Sequence, residues 1–383
     1  MTGRHLCTLV MLAASLLQTQ AQQLKIGNYK FPDGGAYQGE IYKGKPYGHG
    51  ITTYPNGDIY EGDYVKGVRQ GKGTYTFADG EKYEGDWNQN YQNGQGTYYF
   101  ANNNRYVGTW YRDMQQGRGV MYYYNGDVYE GNWMADKREG SGTYTYANGA
   151  SYAGEWKADM KEGRGRFDWN DGNVYDGNWT NNKMNGRGTF TYATGDVYVG
   201  EWRNDVQHGR GIYTFADGNK YEGQYLNGER TGEGICNFAN GDKYVGHFLN
   251  GKQEGQGTFT WHNGASYEGQ WHENKQHGRG KYVWANGDIY EGNWQDGVMH
   301  GEGVMRQVDG IRFKGTYENG LKEGPGVMVD ADGIRHEGNF HRDEKHGEFV
   351  EKDRNGNVIQ KVTYVNGMVQ NPSASVANGA NKR

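Results

Sequence analysis

The chain has 383 residues, of which 66 are glycine and 33 are tyrosine, whereas only 5 are proline. Its formal charge of −5 excludes the basic surplus that is typical of nucleic-acid-binding proteins. The same balance disfavours nonspecific adhesion to an anionic membrane, because such adhesion requires clustered Lys and Arg.

The N-terminal segment differs in kind from the rest of the chain. A basic start precedes an apolar run at 6–17, which is too short to span a bilayer as a helix. Thr19 and Ala21 then supply small residues at positions −3 and −1, a pattern typical of a cleavable secretory signal. We therefore predict a signal peptide at 1–21 and a lead-in at 22–36. The alternatives are an uncleaved anchor and a disordered leader.

From residue 37 onward a unit of 23 residues repeats fourteen times without insertion or deletion. The consensus reads Y-x-G-x-W-x(6)-G-x-G-x-Y-x-F-x-N-G-x-x, and glycine is invariant two and eleven positions after the first aromatic. A fixed period of this length indicates a repeat array or solenoid. The first position of the unit, which we call the tyrosine slot, holds Tyr37, Tyr60, Tyr83, Tyr106, Tyr129, Tyr152, Tyr175, Tyr198, Tyr221, Tyr244, Tyr267, Tyr290, Phe313 and His336.

Each repeat contains two stretches that alternate with period two. The stretch 60–64 places two tyrosines and a glycine on one face and two acids on the other. The stretch 71–77 again sets glycines and aromatics against Lys and Thr. An Asn-Gly or Asp-Gly pair follows, such as Asn56-Gly57, and predicts a hairpin turn with positive φ. Asn103 replaces the glycine in one copy, and Asn tolerates that conformation.

Stacking these hairpins predicts the fold class. We expect an all-β, elongated single-layer antiparallel β-sheet solenoid of about 14 stacked 23-residue hairpin repeats, with roughly 28 strands. One face is lined by aromatics and glycines, and the glycines allow rings to lie across the neighbouring strand. The other face carries Glu, Asp, Lys, Arg and Thr, with opposed charges that are weakly stabilising.

All 11 tryptophans fall at two positions of the unit, eight at the W of the consensus and three at its F. We call these two positions the first slot and the second slot. A tryptophan recruited for one ligand would break the pattern, so packing is the favoured role and ligand stacking the alternative. If the aromatic face forms a groove, its candidate ligand-facing residues are Tyr83, Trp87, Trp110, Tyr129, Trp133, Tyr152, Trp156, Trp179 and Trp202.

The unit decays toward the C-terminus, where Gln307 and Asp330 replace second-slot aromatics. Terminal repeats of arrays are atypical because they cap the stack. We predict a repeat array of 14 units at 37–358 and a terminal half-repeat or cap at 359–370. The polar, aperiodic tail at 371–383 is predicted to be disordered.

The Y-x-G-x-W…G-x-G-x-[YF]-x-[YF]-x-N-G pattern resembles MORN (membrane occupation and recognition nexus) repeats over 37–358. The resemblance implies a twisted or curved single-layer sheet with an aromatic groove. Members of the family serve as scaffolds, membrane-junction proteins, cytoskeletal organisers or regulatory extensions of enzymes, and phospholipid binding has been proposed for them. Their catalysis belongs to appended domains such as a lipid kinase or a SET methyltransferase. The array's flanks are short here, so the resemblance implies no enzyme domain.

The residues themselves also predict no enzyme, no metal and no cofactor. Acidic residues such as Glu61 occupy repeated slots, whereas a reaction centre should be singular. Gly-x-Gly never opens a predicted helix, so phosphate-loop interpretations fail. Cys236 occupies an aromatic slot and is predicted to be a small apolar filler. Four histidines that precede the invariant glycine are too far apart to share one zinc ion and are predicted to be exposed in loops: His208, His277, His300 and His346.

These observations predict a non-catalytic repeat scaffold that mediates protein–protein interaction or envelope organisation through an aromatic groove. A protein partner or self-association is expected, and no nucleic acid. The alternative is recognition of a lipid headgroup or carbohydrate by the same groove. The N-terminal signal predicts a secreted, periplasmic or cell-envelope location.

Overall fold

A computed structural model describes residues 24–372. These residues form 31 β-strands and no helix, and the chain divides into two compact units after Lys183. The predicted fold class, an all-β antiparallel sheet built of hairpin repeats, is confirmed. The predicted signal peptide lies outside the described residues.

In the first unit, each strand pairs antiparallel with its neighbours in sequence. A seven-residue strand alternates with a nine-residue strand in each repeat. The strands are β1 (Lys25–Lys30), β2 (Ala36–Tyr42), β3 (Lys45–Thr53), β4 (Ile59–Val65), β5 (Val68–Thr76), β6 (Lys82–Asn88), β7 (Tyr91–Tyr99), β8 (Arg105–Tyr111), β9 (Met114–Tyr122), β10 (Val128–Met134), β11 (Lys137–Thr145), β12 (Ser151–Lys157), β13 (Met160–Asp168) and β14 (Val174–Thr180).

The second unit repeats this arrangement, again with antiparallel pairing between consecutive strands. Its strands are β15 (Lys183–Thr191), β16 (Val197–Arg203), β17 (Val206–Thr214), β18 (Lys220–Leu226), β19 (Glu229–Asn237), β20 (Lys243–Leu249), β21 (Lys252–Thr260), β22 (Ser266–His272), β23 (Lys275–Val283), β24 (Ile289–Gln295), β25 (Val298–Arg306), β26 (Arg312–Glu318), β27 (Leu321–Val329), β28 (Arg335–His341), β29 (Glu344–Lys352), β30 (Val358–Val365) and β31 (Met368–Pro372).

Three strands lie outside the repeats and were not predicted. The fourteen repeats supply β2 to β29, which are the 28 expected strands. β1 turns the predicted lead-in into an edge strand paired with β2. β30 and β31 make the predicted half-repeat a full hairpin. β31 includes residues 371–372, and the rest of the predicted tail lies outside the described residues.

Each repeat is organised by a tyrosine ring that lies across two opposed glycines. In the second repeat, Gly62 on β4 pairs with Gly73 on β5. A Cβ on Gly73 would collide with the ring of Tyr60, which is fully buried, and a Cβ on Gly62 would collide with the Tyr60 hydroxyl and the backbone of Gly73. The Tyr60 hydroxyl donates a hydrogen bond to the Asp63 carbonyl at 3.2 Å. The predicted close approach of rings to strand glycines is therefore confirmed.

Consecutive repeats are joined by edge-to-face contacts between these tyrosines and the first-slot tryptophans. The Trp87 ring lies 5.2 Å from Tyr60 and 5.3 Å from Tyr83, at interplanar angles of 84° and 89°. This is the geometry that aromatic quadrupoles favour. In the second unit, Trp271 lies in the same way between Tyr244 and Tyr267. We call this buried series of rings in each unit the inner column.

The glycine eleven positions after the tyrosine marks a β-bulge. Pairing between β4 and β5 shifts between Gly62 and Tyr64, and Gly71 has a φ of 93°. The Asp63 carboxylate accepts a hydrogen bond from Lys72 N at 3.2 Å across this bulge. The expected uninterrupted alternation through 71–77 is therefore wrong at Gly71, because a bulge with positive φ requires glycine there.

Two kinds of turn connect the strands, and the sequence identified only one. The Asn-Gly pairs lie where one repeat's second strand meets the next repeat, and Gly57 has a φ of 94°. Gly57 N donates a hydrogen bond to Tyr54 O at 3.0 Å, and Asn103 adopts a φ of 65°, as predicted. The tighter two-residue turns lie within repeats. Gln89 and Asn90, at φ 50° and 70°, are consistent with a type I′ turn.

In the last repeat, the ring that continues the inner column comes from the second strand of the hairpin instead of the first. His336 takes the tyrosine slot, and Phe349 stands where other repeats carry the opposed glycine. The Phe349 ring is fully buried, and a Cβ on Gly338 would lie 2.6 Å from it. Phe349 lies 5.3 Å from both Phe340 and Tyr364. A ring from the opposite strand thus fills the space that the missing tyrosine would occupy.

We predict that Gly200→Val destabilises the second unit by about 1–3 kcal/mol or more, because overpacking forces rings and backbone apart. A Cβ at Gly200 would lie 2.6 Å from the Tyr198 ring and 2.7 Å from Gly211 Cα. The matched control is Gly264→Asn, whose Cβ meets nothing within 4 Å and whose slot holds Asn103 in another copy. Equal unfolding free energies for the two variants in denaturant would contradict the assigned faces.

We also predict that alkaline solution unfolds the array cooperatively. Burial raises the pKa of Tyr37 and Tyr221 to about 12, above the unfolded value of about 10. Because the pKa of these tyrosines is higher in the folded than in the unfolded state, their neutral phenols stabilise the fold below pH ~10. This contribution to the unfolding free energy is lost as the pH rises toward the folded-state pKa. Tyrosinate absorbance and circular dichroism should therefore change together above pH ~10. Full ionisation with the β signal intact would contradict the buried column.

Candidate binding groove on the aromatic face

The nine aromatics that the sequence singled out all lie in the inner column. The three tyrosines are fully buried, and the six tryptophans are 3–5% exposed. Each tryptophan indole also donates to a glycine carbonyl, as in the 3.1 Å bond from Trp87 Nε1 to Gly73 O. These contacts account for them as packing residues, and their contact with a ligand stays a prediction. They are Tyr83, Trp87, Trp110, Tyr129, Trp133, Tyr152, Trp156, Trp179 and Trp202.

A second set of rings lies above the inner column and is half-buried. In the first unit, Phe77 lies 4.7 Å from Tyr75 and 5.9 Å from Tyr98, and Phe100 lies 4.6 Å from Tyr98. We call these rings, together with Tyr123, the outer row. The outer row lines a groove of about 720 Å³ whose walls are Arg69, Tyr75, Phe77, Trp87, Asn90, Gln92, Tyr98, Phe100, Trp110, Asp113, Gln115, Met121, Tyr123, Trp133, Asp136 and Asp159.

Carboxylates near the Asn-Gly turns hold the outer row in place. Asp58 accepts hydrogen bonds from the Tyr75 hydroxyl at 2.7 Å and from Ala78 N at 2.9 Å. Asp127 binds Tyr144 and Ala147 in the same way, at 2.6 and 2.8 Å. Burial opposes ionisation of both acids, but these hydrogen bonds outweigh it and lower their pKa values. Each of these two acids therefore connects its own repeat to the next.

The opposite margin of the groove is formed by the two-residue turns. Asp113 Oδ1 accepts a hydrogen bond from Gln92 N at 2.7 Å, and Asp136 Oδ1 accepts one from Gln115 N at the same distance. Asn90 makes the equivalent contact with the preceding repeat. In each of these turns, the Asn or Asp side chain therefore binds the backbone of the second strand of the preceding repeat and lies at the margin of the groove.

The start of each second strand holds a slot that the sequence analysis overlooked. Arg138 occupies it with a side chain only 19% exposed, and its guanidinium carbon lies 4.3 Å from the Trp156 ring. Its Nε donates to Asp159 Oδ1 at 3.0 Å. We call this the cation slot. The available signal was a recurring basic residue nine positions after the tyrosine, at Arg69, Arg138, Lys161, Arg230, Lys322 and Lys345.

Other basic residues lie on the opposite face of the sheet, where the sequence predicts charged side chains. Arg118, Arg164, Arg187 and Arg210 are exposed there. Ion pairs on this face join neighbouring strands, as between Lys72 Nζ and Asp86 Oδ1 at 2.6 Å. Exposed pairs of this kind contribute little stability, which fits the predicted solvated face.

The prediction that four histidines are exposed in loops is wrong. His208, His277, His300 and His346 lie in strands beside the bulge glycine rather than in loops, and the first three are half-buried. Within residues 24–372, no group of three His, Cys, Asp or Glu side chains is arranged to hold a metal ion. Cys236 is buried as predicted, and burial raises the pKa of its thiol.

One ionisable cluster lies inside the fold, at the last repeat. His336 Nδ1 lies 2.9 Å from Glu351 Oε1, and Nε2 lies 3.0 Å from Asp330 Oδ2. Lys345 Nζ approaches the same ring at 2.8 Å, and the Tyr364 hydroxyl donates to Glu351 at 3.0 Å. Burial opposes ionisation of Glu351, yet the hydrogen bonds around it lower its pKa. The cluster links β28, β29 and β30 where the usual tyrosine is absent.

We predict that Arg138→Gln lowers the unfolding free energy by about 0.5–2 kcal/mol, since a desolvated cation–π contact is lost and Asp159 loses its charged partner. Glutamine is the native residue of this slot at Gln92 and Gln115, so it fits sterically. Arg118→Gln on the exposed face is the control and should change stability by less than about 0.5 kcal/mol. Thermal unfolding of both variants is the measurement, and equal effects would contradict the assignment.

Comparison with solved structures finds distant likenesses. The TCP domain of SAS-4 (dCPAP) from Drosophila melanogaster, in complex with a proline-rich motif of Ana2, is 17% identical, with a TM-score of 0.28 over 46% of this chain and 90% of that chain. The TCP10 domain of Danio rerio CPAP is 10% identical, with a TM-score of 0.28 over 64% and 99%. Catalytically inactive virginiamycin B lyase from Staphylococcus aureus with quinupristin is 11% identical, with a TM-score of 0.13 over 80% and 96%. Scores this low carry no functional argument.

Comparison with curated protein sequences finds no match. None of the described residues forms a helix long and apolar enough to cross a membrane. The MORN repeat model, in contrast, matches fourteen consecutive segments that cover residues 37–358 without a gap. The matched segments begin at the tyrosine slot that organises each hairpin. The chain therefore belongs to the MORN repeat family.

Proposed function

We propose that this repeat array is a non-catalytic scaffold that binds an extended protein segment along the outer row of the first unit. The observation that carries the proposal is the contrast between the two sets of rings. The inner column is closed, whereas the outer row is half-exposed and lines an open groove over several repeats. Packing therefore accounts for the inner column and leaves the outer row for a partner.

The chemistry of the groove favours a polypeptide occupant. Tyrosine, tryptophan, phenylalanine and arginine are enriched at protein interfaces, and all four line this groove. Extended segments dock into aromatic-lined grooves with little loss of conformational entropy. The same lining includes Asp113, Asp136 and Asp159, which would repel an anionic lipid headgroup. A protein partner is thus preferred over the lipid or carbohydrate alternative.

The absence of catalysis is part of the same proposal. The described acids with lowered pKa values hold turns and strands together, as Asp58 and Asp127 do. The His336 cluster is buried, and its members bind one another within the terminal hairpins. These ionisable groups therefore have structural partners that account for them.

We also propose that the protein is exported, on the evidence of the N-terminal sequence alone. Cleavage after Ala21 would release a chain that begins at Gln22. N-terminal sequencing of the protein recovered from its host is the measurement. An intact N-terminus on protein inside the cell would contradict export.

The binding role is tested by site-specific photo-crosslinking in the native host. A photoreactive phenylalanine analogue replaces Phe100 in the outer row, and the control replaces Tyr122, an exposed ring 38% accessible on the opposite face. Tyr122 lies in the repeat that follows that of Phe100, one residue before Tyr123 of the outer row, so the control samples the opposite face of the adjacent repeat. The proposal predicts a discrete protein adduct from position 100 and none from position 122.

Two results would contradict the proposal. Adducts that form only from position 122 would place the interaction on the charged face. Adducts from position 100 that contain lipid or glycan but no protein would establish the alternative ligand class. A protein adduct whose mass matches a second copy of the chain would identify the partner as self-association.

A further inference from the structure

The cation slot gives the groove a chemical specificity that goes beyond the general scaffold. In most copies where the slot is basic, the cation lies over the rings of its own chain. Arg69 lies 4.3 Å from the Trp87 ring and Lys161 lies 4.4 Å from the Trp179 ring. Each of these two cations thus stacks on the tryptophan of the following repeat. The array therefore contains internal examples of how its aromatic face binds a cation.

Arg138 provides the most complete example. Its guanidinium carbon lies 4.3, 5.4 and 5.6 Å from the rings of Trp156, Tyr144 and Tyr129. Its Nε and a terminal nitrogen donate to the Asp159 side chain and carbonyl at 3.0 and 2.9 Å. A site for one cation thus consists of three rings and a carboxylate.

The copy at Gln92 carries the same three rings and the same carboxylate but no cation. The residues equivalent to those around Arg138 are Trp110, Tyr98, Tyr83 and Asp113. The next copy, at Gln115, has Trp133 and Tyr106, with Met121 in place of one ring, and Asp136 as the acid. Two consecutive repeats thus lack the charge that completes the site in the repeat that follows.

The two acids are left without a cation among residues 24–372. Asp113 and Asp136 are exposed, and each accepts one backbone hydrogen bond through Oδ1. Gln92 and Gln115 are only 6% and 5% exposed, and their side chains are neutral. Both acids and both glutamines line the groove. A ligand cation would meet an uncompensated carboxylate beside half-exposed rings at each of two successive positions.

We propose that this part of the groove binds a basic polypeptide segment, with Lys or Arg side chains paired to Asp113 and Asp136 and their stems against Tyr98, Phe100 and Tyr123. The inference rests on the proposed scaffold function and names the chemistry of its partner. Cation–aromatic contact and charge-assisted hydrogen bonding supply the affinity. The occupied Arg138 site supplies the geometric precedent within the same chain.

The spacing of the two sites specifies the pattern of the segment. Equivalent positions in successive repeats are two strands apart, about 9.6 Å. A polyproline II segment rises about 3.1 Å per residue and returns to the same face every third residue, so residues i and i+3 are about 9.3 Å apart. The partner should therefore carry a basic residue at every third position. A single quaternary ammonium group would fill only one site.

The direct test measures binding of a capped synthetic peptide built from Arg-Pro-Pro triplets to the full chain by fluorescence anisotropy. A peptide of the same composition with adjacent arginines is the spacing control. We expect the triplet peptide to bind more tightly, and its affinity to fall as salt is raised. Equal affinity for the two peptides would overturn the inferred register.

The decisive variant places an arginine of the chain itself in each of the two sites. Gln92→Arg combined with Gln115→Arg copies the native Arg138 arrangement, so the protein should stay folded while peptide affinity falls at least about tenfold. Gln253→Arg is the matched control in the second unit, because its turn partner is Asn274 rather than an acid. It should leave affinity unchanged. Unchanged affinity in the double variant would overturn the proposed sites.

A second variant removes the charges without adding any. Asp113→Asn combined with Asp136→Asn places in both turns the residue that Asn90 and Asn182 already supply in their own repeats. The affinity and its salt dependence should both fall. Tighter binding of phosphatidylcholine vesicles than of the peptide by the native chain would overturn the polypeptide assignment and favour a lipid headgroup cation.

The two proposals fail in different ways. A protein adduct from position 100 without any binding of the triplet peptide would leave the scaffold function standing and exclude a basic segment. Binding of the peptide that survives both double variants would place the basic segment elsewhere on the chain. Absence of both the adduct and peptide binding would exclude the scaffold function itself.

Discussion

The structure depends on one packing constraint, the tyrosine ring that lies across a pair of opposed glycines. Any side chain at either glycine would occupy the volume of the ring, as at Gly62 and Gly73 beneath Tyr60. This constraint fixes two positions of the unit relative to the tyrosine, and the bulge at Gly71 fixes a third. The edge-to-face contact with the next tryptophan then transmits the arrangement from repeat to repeat. The last repeat lacks the tyrosine, but the space between the strands is still filled by a ring, because Phe349 occupies it from the opposite strand.

Because the inner column uses its aromatics for packing, function is best sought where copies of the unit differ. The aromatic and glycine slots of the consensus carry the same residue type in most repeats and are accounted for by folding. The cation slot changes between Pro, Arg, Lys, Gln and Met along the chain. Such a change alters charge on the groove without altering the hairpin, because the backbone bond from the slot to the next turn is kept at both Gln115 and Arg138. Repeat scaffolds can thus vary recognition while the fold stays constant.

Much of the fold could be predicted from the sequence because its period is unbroken. The hairpins, the two faces and the close approach of rings to glycine all follow from residue spacing. The bulge at Gly71 could not be predicted from alternation, because the pattern of polar and apolar residues continues through it. The type I′ turn at Gln89 and Asn90 was missed since its residues vary, whereas Asn-Gly pairs drew attention to the other turn.

The candidate site was harder to predict, for a physical reason. Trp87 and Tyr83 stayed candidate ligand contacts in the sequence, as the alternative to packing, but rings of their own and neighbouring repeats pack against them and bury them. Arg69 and Arg138 lie on the aromatic face because the bulge and the turn direct them there, and residue type alone suggests a solvated surface. The distinction between inner and outer rings therefore required the three-dimensional arrangement of several repeats.

The central claim, that the first-slot rings are core and the second-slot rings are surface, is tested most directly by hydrogen exchange of the tryptophan indole N–H groups by NMR. First-slot indoles such as Trp87 and Trp271 are buried and donate to glycine carbonyls at 3.1 Å, whereas Trp261 and Trp284 are half-exposed. The account predicts slow exchange for Trp87 and Trp271 and fast exchange for Trp261 and Trp284. Similar rates for both slots would contradict it.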